Sequence, residues 1–385
     1  QVENDETGST CLYCADDGGN FLGAGTLTIQ ANMPAAIASL FTIEGSNTLS
    51  VDIIDGNGKT EVATADEFVK IGSNPTGKFI LTADIDMDGK DFKGFTSDFS
   101  GTIDGQGHKV KNLKVEFNGD NEKGVFCKTV SATIKNIAFE NMQVLGNGTK
   151  RIGLVGNALG TNFEQVAVTG KVTGDDNVAL LAGHADNVTI KNCYVSGEVV
   201  AAMQAGGFIG MTQGKGASIE NSYFNGDITA TIYGWAAGFI GRIEASAGTT
   251  INLKNSVSIG NVHNEGRIAH PFIAVNAAGA GAEEGAVINY SGNIANTDAE
   301  IVGNGEWPWD NETAEGGEVT PAESYGATDL QEQTQYVLIG WDFDNVWTFD
   351  TESGYLYPVL KSIGAVKDPI STSIQGVQSE QKAAT

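Results

Sequence analysis

The sequence is poor in positive charge. Its 385 residues include 22 Lys and Arg against 48 Asp and Glu, a formal net charge of -26. Such a polyanion repels the phosphates of nucleic acids and anionic lipids, so neither is an expected partner. The three arginines, Arg151, Arg242 and Arg267, lie in no acidic motif of the kind that a polysaccharide lyase with bound calcium would need.

Cysteine and long apolar runs are also scarce. Four cysteines are too few for a disulfide scaffold. Cys11 and Cys14 have metal or redox spacing without a second pair nearby, so a local disulfide or two free thiols is the preferred interpretation. No run of about 18 apolar residues is present, and membrane insertion is therefore not expected.

Glycine, in contrast, is abundant. The chain has 51 glycines and only 18% charged residues. Since each glycine weakens a helix interior by about 1 kcal/mol, this composition favours short strands and tight turns.

A short phrase repeats between Gly153 and Val262. Its copies begin roughly 26 to 31 residues apart, a period typical of solenoids. Each copy has a first element with glycine at its end and a second, strand-like element that also ends in glycine. The first elements are Gly153-Leu-Val-Gly156, Ala179-Leu-Leu-Ala-Gly183, Gly207-Phe-Ile-Gly210 and Gly238-Phe-Ile-Gly241.

These repeats predict an all-β fold, a parallel β-helix. One copy cannot bury its apolar side alone, so copies must stack with equivalent strands paired in parallel. An amide recurs at one position of the phrase, where we expect a structural ladder of stacked side chains. The ladder residues are Asn136, Gln165, Asn192, Asn221 and Asn255. Cys193, one position further on, is expected to be a packing residue.

The remaining chain divides around this array. We expect a flexible acidic tail at 1–21, a β segment with a hairpin at 22–60, the β-helix at 61–362, and a flexible tail at 363–385. Within the β-helix we predict a loop insertion at 303–327 and a C-terminal cap at 328–362. Capping boxes at Thr64 and Thr328 predict short helices to about Ile71 and Tyr336, the first acting as a lid.

Several phrases resemble those of GLUG-motif proteins. They are Leu81-Thr-Ala-Asp-Ile-Asp-Met87, Phe99-Ser-Gly-Thr-Ile-Asp-Gly-Gln-Gly-His108, the Gly-Leu-Val-Gly and Ile-Lys-Asn-Cys-Tyr repeats, and Asp342-Phe-Asp-Asn-Val-Trp347. The resemblance covers about 67–361. It implies a right-handed β-helix in secreted or surface-attached bacterial proteins, adhesin-like and typical of gut Bacteroidetes, some of which carry the motif beside immunoglobulin A protease modules. It implies no catalytic residue.

Exposed aromatic side chains are the candidate binding residues. Trp307 and Trp309 flank a proline in a polar segment, and Tyr233 and Trp235 lie at a corner of a coil. Indole and phenol rings can stack on sugars. The alternative is that these rings pack as a cap over the end of the solenoid, the role expected of Trp341 and Trp347.

Asp84, Asp86 and Asp88 form the first half of an EF-hand loop, but Phe95 stands where the bidentate Glu is needed. A strand ending in a turn explains them better, and calcium is the alternative. No other cofactor is expected.

The expected function is therefore that of a secreted or outer-surface bacterial protein, non-enzymatic and adhesin-like, that binds a glycan or a partner protein. Two alternatives stay open. One is a carbohydrate-active enzyme on the same scaffold, a polysaccharide lyase or glycoside hydrolase, which a groove with converging carboxylates would support. The other is a purely structural stalk. The sequence leaves the oligomeric state open.

Overall fold

The computed structural model describes residues 2–4, 10–12, 25–30, 48–53, 58–232, 234–279, 284–303, 323–350, 353 and 355–367. Most of these belong to one sheet of 27 strands. Each strand pairs in parallel with its equivalent one coil later, as Phe163 with Ile190 and Ile190 with Ile219. The predicted parallel β-helix is thus confirmed.

The strands of this sheet range from 2 to 15 residues, and few helices interrupt them. In chain order they are Lys59–Val62, Lys78–Leu81, Ile85–Asp86, Thr102–Asp104, Lys109–Lys111, Lys114–Asn118, Asn121–Val130, Thr133–Asn147, Lys150–Leu159, Asn162–Gly174, Asp176–Ala179, Ala182–Lys191, Tyr194–Ala201, Ala205–Gly206, Ile209–Glu220, Tyr223–Ala230, Trp235–Ala237, Ile240–Ala245, Thr250–Lys254, Val257–Ser258, Asn261–Asn264, Ile268–His270, Ile273–Ala278, Val287–Ser291, Ile294–Asn296, Ile301–Gly303 and Glu323–Tyr325. The strand Val287–Ser291 pairs in parallel with Thr250–Lys254, which extends the array beyond Val262.

The core consists of apolar columns that run along the solenoid. Phe163, Ile190, Ile219 and Leu253 occupy the same position in successive coils, and each is fully buried. Adjacent rungs lie about 4.8 Å apart, so every side chain touches its equivalents above and below. Truncating one of them to alanine should cost about 2–5 kcal/mol.

The predicted first helix is present at Ala65–Lys70 and continues as a 3₁₀ turn, Ile71–Ser73. Thr64 and Glu67 form the expected capping box. Phe68 is buried on this helix, with its ring centroid 5.5 Å from that of Phe95. This contact attaches the helix to the hydrophobic core.

The second predicted capping box is wrong. Thr328 makes no side-chain cap, and a 3₁₀ turn at Asp329–Gln331 is separated from the helix Gln333–Leu338 by Glu332. Glu332 is extended, with φ -110° and ψ 134°, which interrupts the helical backbone. The strands Trp347–Thr348 and Val359–Leu360 then pair antiparallel.

The C-terminal segment covers a side of the solenoid, whereas a cap was expected. We call residues 325–367 the C-terminal strap. Trp341 Nε1 donates to the carbonyl of Asn255 at 2.7 Å, and the carbonyl of Lys367 accepts from Thr169 Oγ1 at 2.7 Å. Since Asn255 and Thr169 belong to different coils, the strap runs back toward the N-terminal coils.

The strap covers a side of the solenoid that would otherwise expose aromatic rings to solvent. Tyr194 and Tyr223 point outward and stack with their centroids 4.9 Å apart. Trp341 and Trp347 cover them and form a second hydrophobic cluster, so they pack laterally. The tail predicted from residue 363 also begins too early, because Val366 is fully buried in this cluster.

Two antiparallel strand pairs precede the solenoid. Gly25–Gln30 pairs with Thr48–Ile53, which forms the expected β segment. Val2–Asn4 pairs with Thr10–Leu12, so the segment predicted as a tail contains strands. No helix within the described ranges combines the length and the apolar character required to cross a membrane.

Candidate functional site

The amide column lies at one corner of the coil. Its residues share a left-handed backbone, with φ between 49° and 52°: Asn136, Gln165, Asn192, Asn221 and Asn255. The next coil has Gly292 at this position, with φ 65°. Asn and Gly adopt this conformation most readily, so the backbone conformation of the corner explains why these residue types recur in the column.

The hydrogen-bonded ladder lies in the neighbouring column. Backbone N–H groups there are bonded by the side chain one coil later: Cys193 N to Ser222 Oγ at 3.1 Å, and Ser256 N to Asn293 Oδ1 at 3.0 Å. The left-handed corner takes these N–H groups out of the strand ladder, and a side chain must satisfy them.

Two members of the amide column show that their side chains bond elsewhere than to the next amide of the column. Asn136 donates to Asp104 Oδ1 at 3.0 Å, and Gln165 Oε1 accepts from Ser362 Oγ at 3.3 Å. The expected bond from each amide to the next is therefore replaced here by bonds to other residues. Cys193, in the neighbouring column, is fully buried and free.

The aromatic candidates are only partly described. Trp307, Trp309 and Tyr233 lie outside the described residues, and their predicted role stays a prediction. Trp235 is 6% exposed. Its ring has guanidinium groups 4.9 Å and 5.2 Å from the centroid, those of Arg242 and Arg267. The expectation of an exposed stacking platform is therefore wrong for Trp235, which orients two arginines instead.

Two of the three aspartates of the EF-hand-like loop, Asp84 and Asp86, use their carboxylates in bonds within the protein. Asp84 Oδ2 lies 3.2 Å from Lys111 Nζ. Asp86 Oδ1 accepts from Asn112 Nδ2 at 2.9 Å and from the backbone of Asp88 at 3.0 Å. The Asn112 hydrogen bond is the largest cause that lowers the pKa of Asp86. Within the described ranges, no three His, Cys, Asp or Glu side chains are grouped to hold a metal ion.

A polar groove opens on another lateral face and is the candidate site. Its volume is about 390 Å³, and its lining residues are Asn121, Glu122, Lys150, Arg151, Asp176, Asn177, Gln204, Met211, Arg242 and Glu244. Strand registers place one column along the groove, one residue per coil: Glu122, Arg151, Asn177, Gln204 and Trp235. The solenoid repeat thus converts residues far apart in sequence into one continuous surface.

The last glycine of each first repeat element holds this face together. A Cβ on Gly183 would lie 2.2 Å from the nitrogen of Ile152, and one on Gly210 would lie 2.5 Å from the carbonyl carbon of Asn177. Only glycine allows the backbone to pass so close. The repeat glycines therefore let one stretch of each coil pack closely against another stretch of the preceding coil beside the groove.

Four buried polar atoms of the groove have no hydrogen-bond partner within the described structure: Asp176 Oδ1, Asn177 Oδ1, Gln204 Oε1 and Arg242 Nε. Asn177 and Gln204 are only 5% and 2% exposed. Each such atom costs about 1–3 kcal/mol, and buried polar groups are otherwise almost always satisfied. This concentration of unmet hydrogen bonds is the strongest indication of a ligand site.

The charges of the groove are unequally neutralised. Glu122 Oε1 accepts from Arg151 Nη1 at 2.7 Å and from Asn157 Nδ2 at 3.0 Å. Arg242 has its carboxylate neighbour, Glu244, only at 3.8 Å. Arg151 is thus closely paired, whereas Arg242 keeps capacity for another anion. Burial raises the pKa of Asp176, against the opposing charges of Lys150 and Arg242.

His184 is a neutral residue of the adjoining column. The register places it beside Asn157 and Met211 of neighbouring coils. Its Nδ1 lies 2.9 Å from Asn157 Oδ1, and burial lowers its pKa to about 4. It therefore supplies no charge to the groove near neutral pH.

Sequence reasoning found only Trp235 in this neighbourhood and missed the rest of the groove. One signal was present: arginine is rare. Arg151 and Arg242 line the groove, and Arg267 stacks with Arg242 on Trp235. All the arginines of an acidic chain thus lie on one face of the solenoid.

Fold and sequence together define a parallel β-helix protein that carries the GLUG motif. A model of that motif matches residues 201–229, which confirms the resemblance. The matched stretch contributes Gln204 and Met211 to the groove. The motif is therefore part of the candidate site as well as part of the scaffold.

The chain is similar in sequence to longer proteins. It is 27% identical over 214 residues to an immunoglobulin A1 protease of Streptococcus pneumoniae, a match that covers 50% of this chain and 10% of the relative. It is 27% identical over 210 residues to halomucin of Haloquadratum walsbyi, covering 46% of this chain and 2% of the relative. The chain thus spans a small part of these relatives.

Solved structures show the same fold. A crystal structure of a Bacteroides ovatus protein, provisionally described as an immunoglobulin A1 protease, superposes with a TM-score of 0.60 at 22% identity. This match covers 80% of this chain and 93% of that one. A second structure, of an IgA1 protease, has a TM-score of 0.50 at 19% identity, covering 84% and 27%.

Proposed function

We propose that this chain is an extracellular, non-enzymatic β-helix module that binds a glycan in the lateral groove. The observation that carries the proposal is the set of buried, unpartnered polar atoms on successive coils. Sugar hydroxyls both donate and accept. They would satisfy the oxygens of Asp176, Asn177 and Gln204 and the Nε of Arg242 at once, and such convergent polar groups are typical of binding sites.

The relatives support the extracellular part of the proposal. Two of them are named for an immunoglobulin, which is an extracellular protein. The acidic composition, with a net charge of -26, suits a soluble surface module of a bacterium. The chain corresponds to 10% of the pneumococcal relative, so we propose that it contributes recognition, with proteolysis residing elsewhere in such proteins.

The test is a glycan array followed by isothermal titration with the strongest ligands. Gln204→Met removes the buried amide at nearly constant volume, and we expect at least about tenfold weaker binding from the loss of one or more hydrogen bonds. Gln143→Met, on a strand segment paired with Lys114–Asn118 away from the groove, is the matched control and should bind normally.

Other outcomes would favour the alternatives. A folded protein that binds no glycan but captures a surface protein through the groove would support the partner-protein function. Indifference to every glycan and protein would support a structural stalk. Equal weakening by Gln204→Met and Gln143→Met would show that the groove is not the site.

A carbohydrate-active enzyme is the second candidate, on one observation. Burial raises the pKa of Asp176, the change that a general acid requires, and Glu122 and Glu244 line the same groove. Glycosidases use such a pair of carboxyl groups. Release of reducing ends from a polysaccharide panel, abolished in Asp176→Asn, would establish this function in place of binding alone.

A further inference from the structure

We infer that the glycan carries a carboxylate, as uronic and sialic acids do, and that this carboxylate binds the guanidinium of Arg242. The inference deepens the proposed function and rests on it. It adds the chemical class of the ligand and the residue that selects it.

The position of Arg242 is set before any ligand arrives. Its guanidinium stacks 4.9 Å from the centre of the Trp235 ring, and Arg267 holds the ring from a distance of 5.2 Å. A stacked guanidinium keeps its planar fork free for two parallel hydrogen bonds to a carboxylate. Because the side chain is already ordered, little entropy is lost when the anion binds.

Arg242 has capacity for a further anion, although the Asp176 carboxyl group of the same groove also interacts with its charge. Glu244 lies 3.8 Å away, beyond a normal hydrogen bond, and Arg242 Nε is buried without a partner. Arg151, the other arginine of the groove, is occupied by Glu122 at 2.7 Å. In a chain of net charge -26, the partly exposed guanidinium of Arg242, incompletely paired, is a candidate anion receptor.

The other polar atoms of the groove without hydrogen-bond partners could bind the hydroxyl groups of the same sugar. Asp176, Asn177 and Gln204 present acceptor oxygens, which need hydroxyl or amide donors. Asn177 lies two rungs from Trp235 along the column, or about 10 Å at the usual rung spacing. This distance matches a carboxylated sugar together with its neighbour better than a lone small anion.

The test compares matched acidic and neutral ligands by isothermal titration: sialyllactose against lactose, and trigalacturonate against its methyl ester. We expect at least one acidic ligand to bind about 10- to 100-fold tighter than its neutral partner, as a hydrogen-bonded charge pair allows. The two pairs of ligands distinguish sialic from uronic acids.

Variants assign the preference to one residue. Arg242→Gln should abolish the preference for the acid, and it should weaken binding of the acidic ligand by a larger factor than binding of its neutral partner. Lys171→Gln removes one positive charge from a salt bridge with Glu198 and should preserve the preference. Circular dichroism confirms that both variants are folded, and Arg242→Lys, if folded, should retain an intermediate preference.

Three results would overturn the inference. Equal affinity for acidic and neutral sugars would refute acid recognition while leaving glycan binding intact. An equal loss of preference in Lys171→Gln and Arg242→Gln would assign it to diffuse charge. Absence of binding to all four ligands and to the array would refute the proposed function, and this inference with it.

Discussion

Replacing Gly210 by alanine tests how the repeat builds the groove. A Cβ at this position would lie 2.5 Å from the carbonyl carbon of Asn177 and 2.6 Å from the nitrogen of Val178. Ordinary contacts begin near 3.4 Å, so the two backbones must separate by about 1 Å. Gly210 is not in the left-handed region, and the cost is therefore steric.

The expected loss of stability is about 1–3 kcal/mol from overpacking. The lower entropy of the unfolded alanine chain offsets about 0.4–1 kcal/mol of that loss. Displacement of Asn177 should also weaken ligand binding at least about tenfold, since hydrogen-bond geometry deteriorates over such distances. Urea denaturation and titration with the strongest array ligand measure the two effects.

Gly326→Ala is the matched control. Its Cβ would meet only the exposed carboxylate of Asp298, at 3.1 Å, and a shift of a few tenths of an ångström relieves this contact while the bond from Ala327 N to the same oxygen, 2.8 Å long, is kept. We expect its stability to change by less than about 0.5 kcal/mol. If Gly210→Ala matches this control in stability and in affinity, the close approach of the two backbones is not what shapes the groove.

Three further predictions concern titration and the C-terminal strap. Unfolded His184 takes up a proton near pH 6.5 and folded His184 only near 4, so stability is full above pH 6.5 and falls toward pH 4. This residue accounts for about 3 kcal/mol at most. In His184→Gln the midpoint urea concentration should therefore depend less on pH between 6.5 and 4 than in the wild type. The same pH dependence in both proteins would contradict the burial argument. The raised pKa of Asp176 means that its ionisation in the folded protein costs stability as pH rises above its unfolded value. Asp176→Asn should therefore be more stable than wild type at pH 7 and should lose that advantage at pH 3, whereas a constant difference would refute the assignment. Tyr223→Phe deletes the bond from its hydroxyl to the carbonyl of Pro358, 2.9 Å long, and should cost about 1–3 kcal/mol because that carbonyl is left buried. Faster proteolysis after Tyr223 is changed, with cleavage confined to the strap, would confirm the lateral packing, and no change in either measurement would count against it.

The residue types of the repeat are explained at the level of the single coil. Gly170 and Gly197 have φ of 134° and 146°, and a Cβ on Gly197 would lie 2.0 Å from the carbonyl oxygen of Gly170. Each glycine thus stacks on its equivalent in the previous coil. The corner amides and these glycines recur because every coil must make the same turns, and such local demands are visible in sequence.

Local chemistry also explains which helix prediction succeeded. Thr64 and Glu67 satisfy each other's backbone donors within one turn, independently of the rest of the protein. The capping-box motif also occurs at Thr328, but this segment is held by lateral packing, with Leu330 buried against the solenoid. Tertiary contacts there outweigh a capping motif that contributes only about 1 kcal/mol.

The sequence by itself determined the parallel β-helix, its period and the first helix, because strand length, corner residues and capping depend on neighbours a few residues away. Only the tertiary structure decided that the C-terminal segment covers a side of the solenoid, that Trp235 is buried between arginines, and that the groove joins Glu122 to Glu244. These features depend on which residues the coils bring to the same height on the same face. That alignment follows from the register summed over several coils, and no single copy of the repeat contains it.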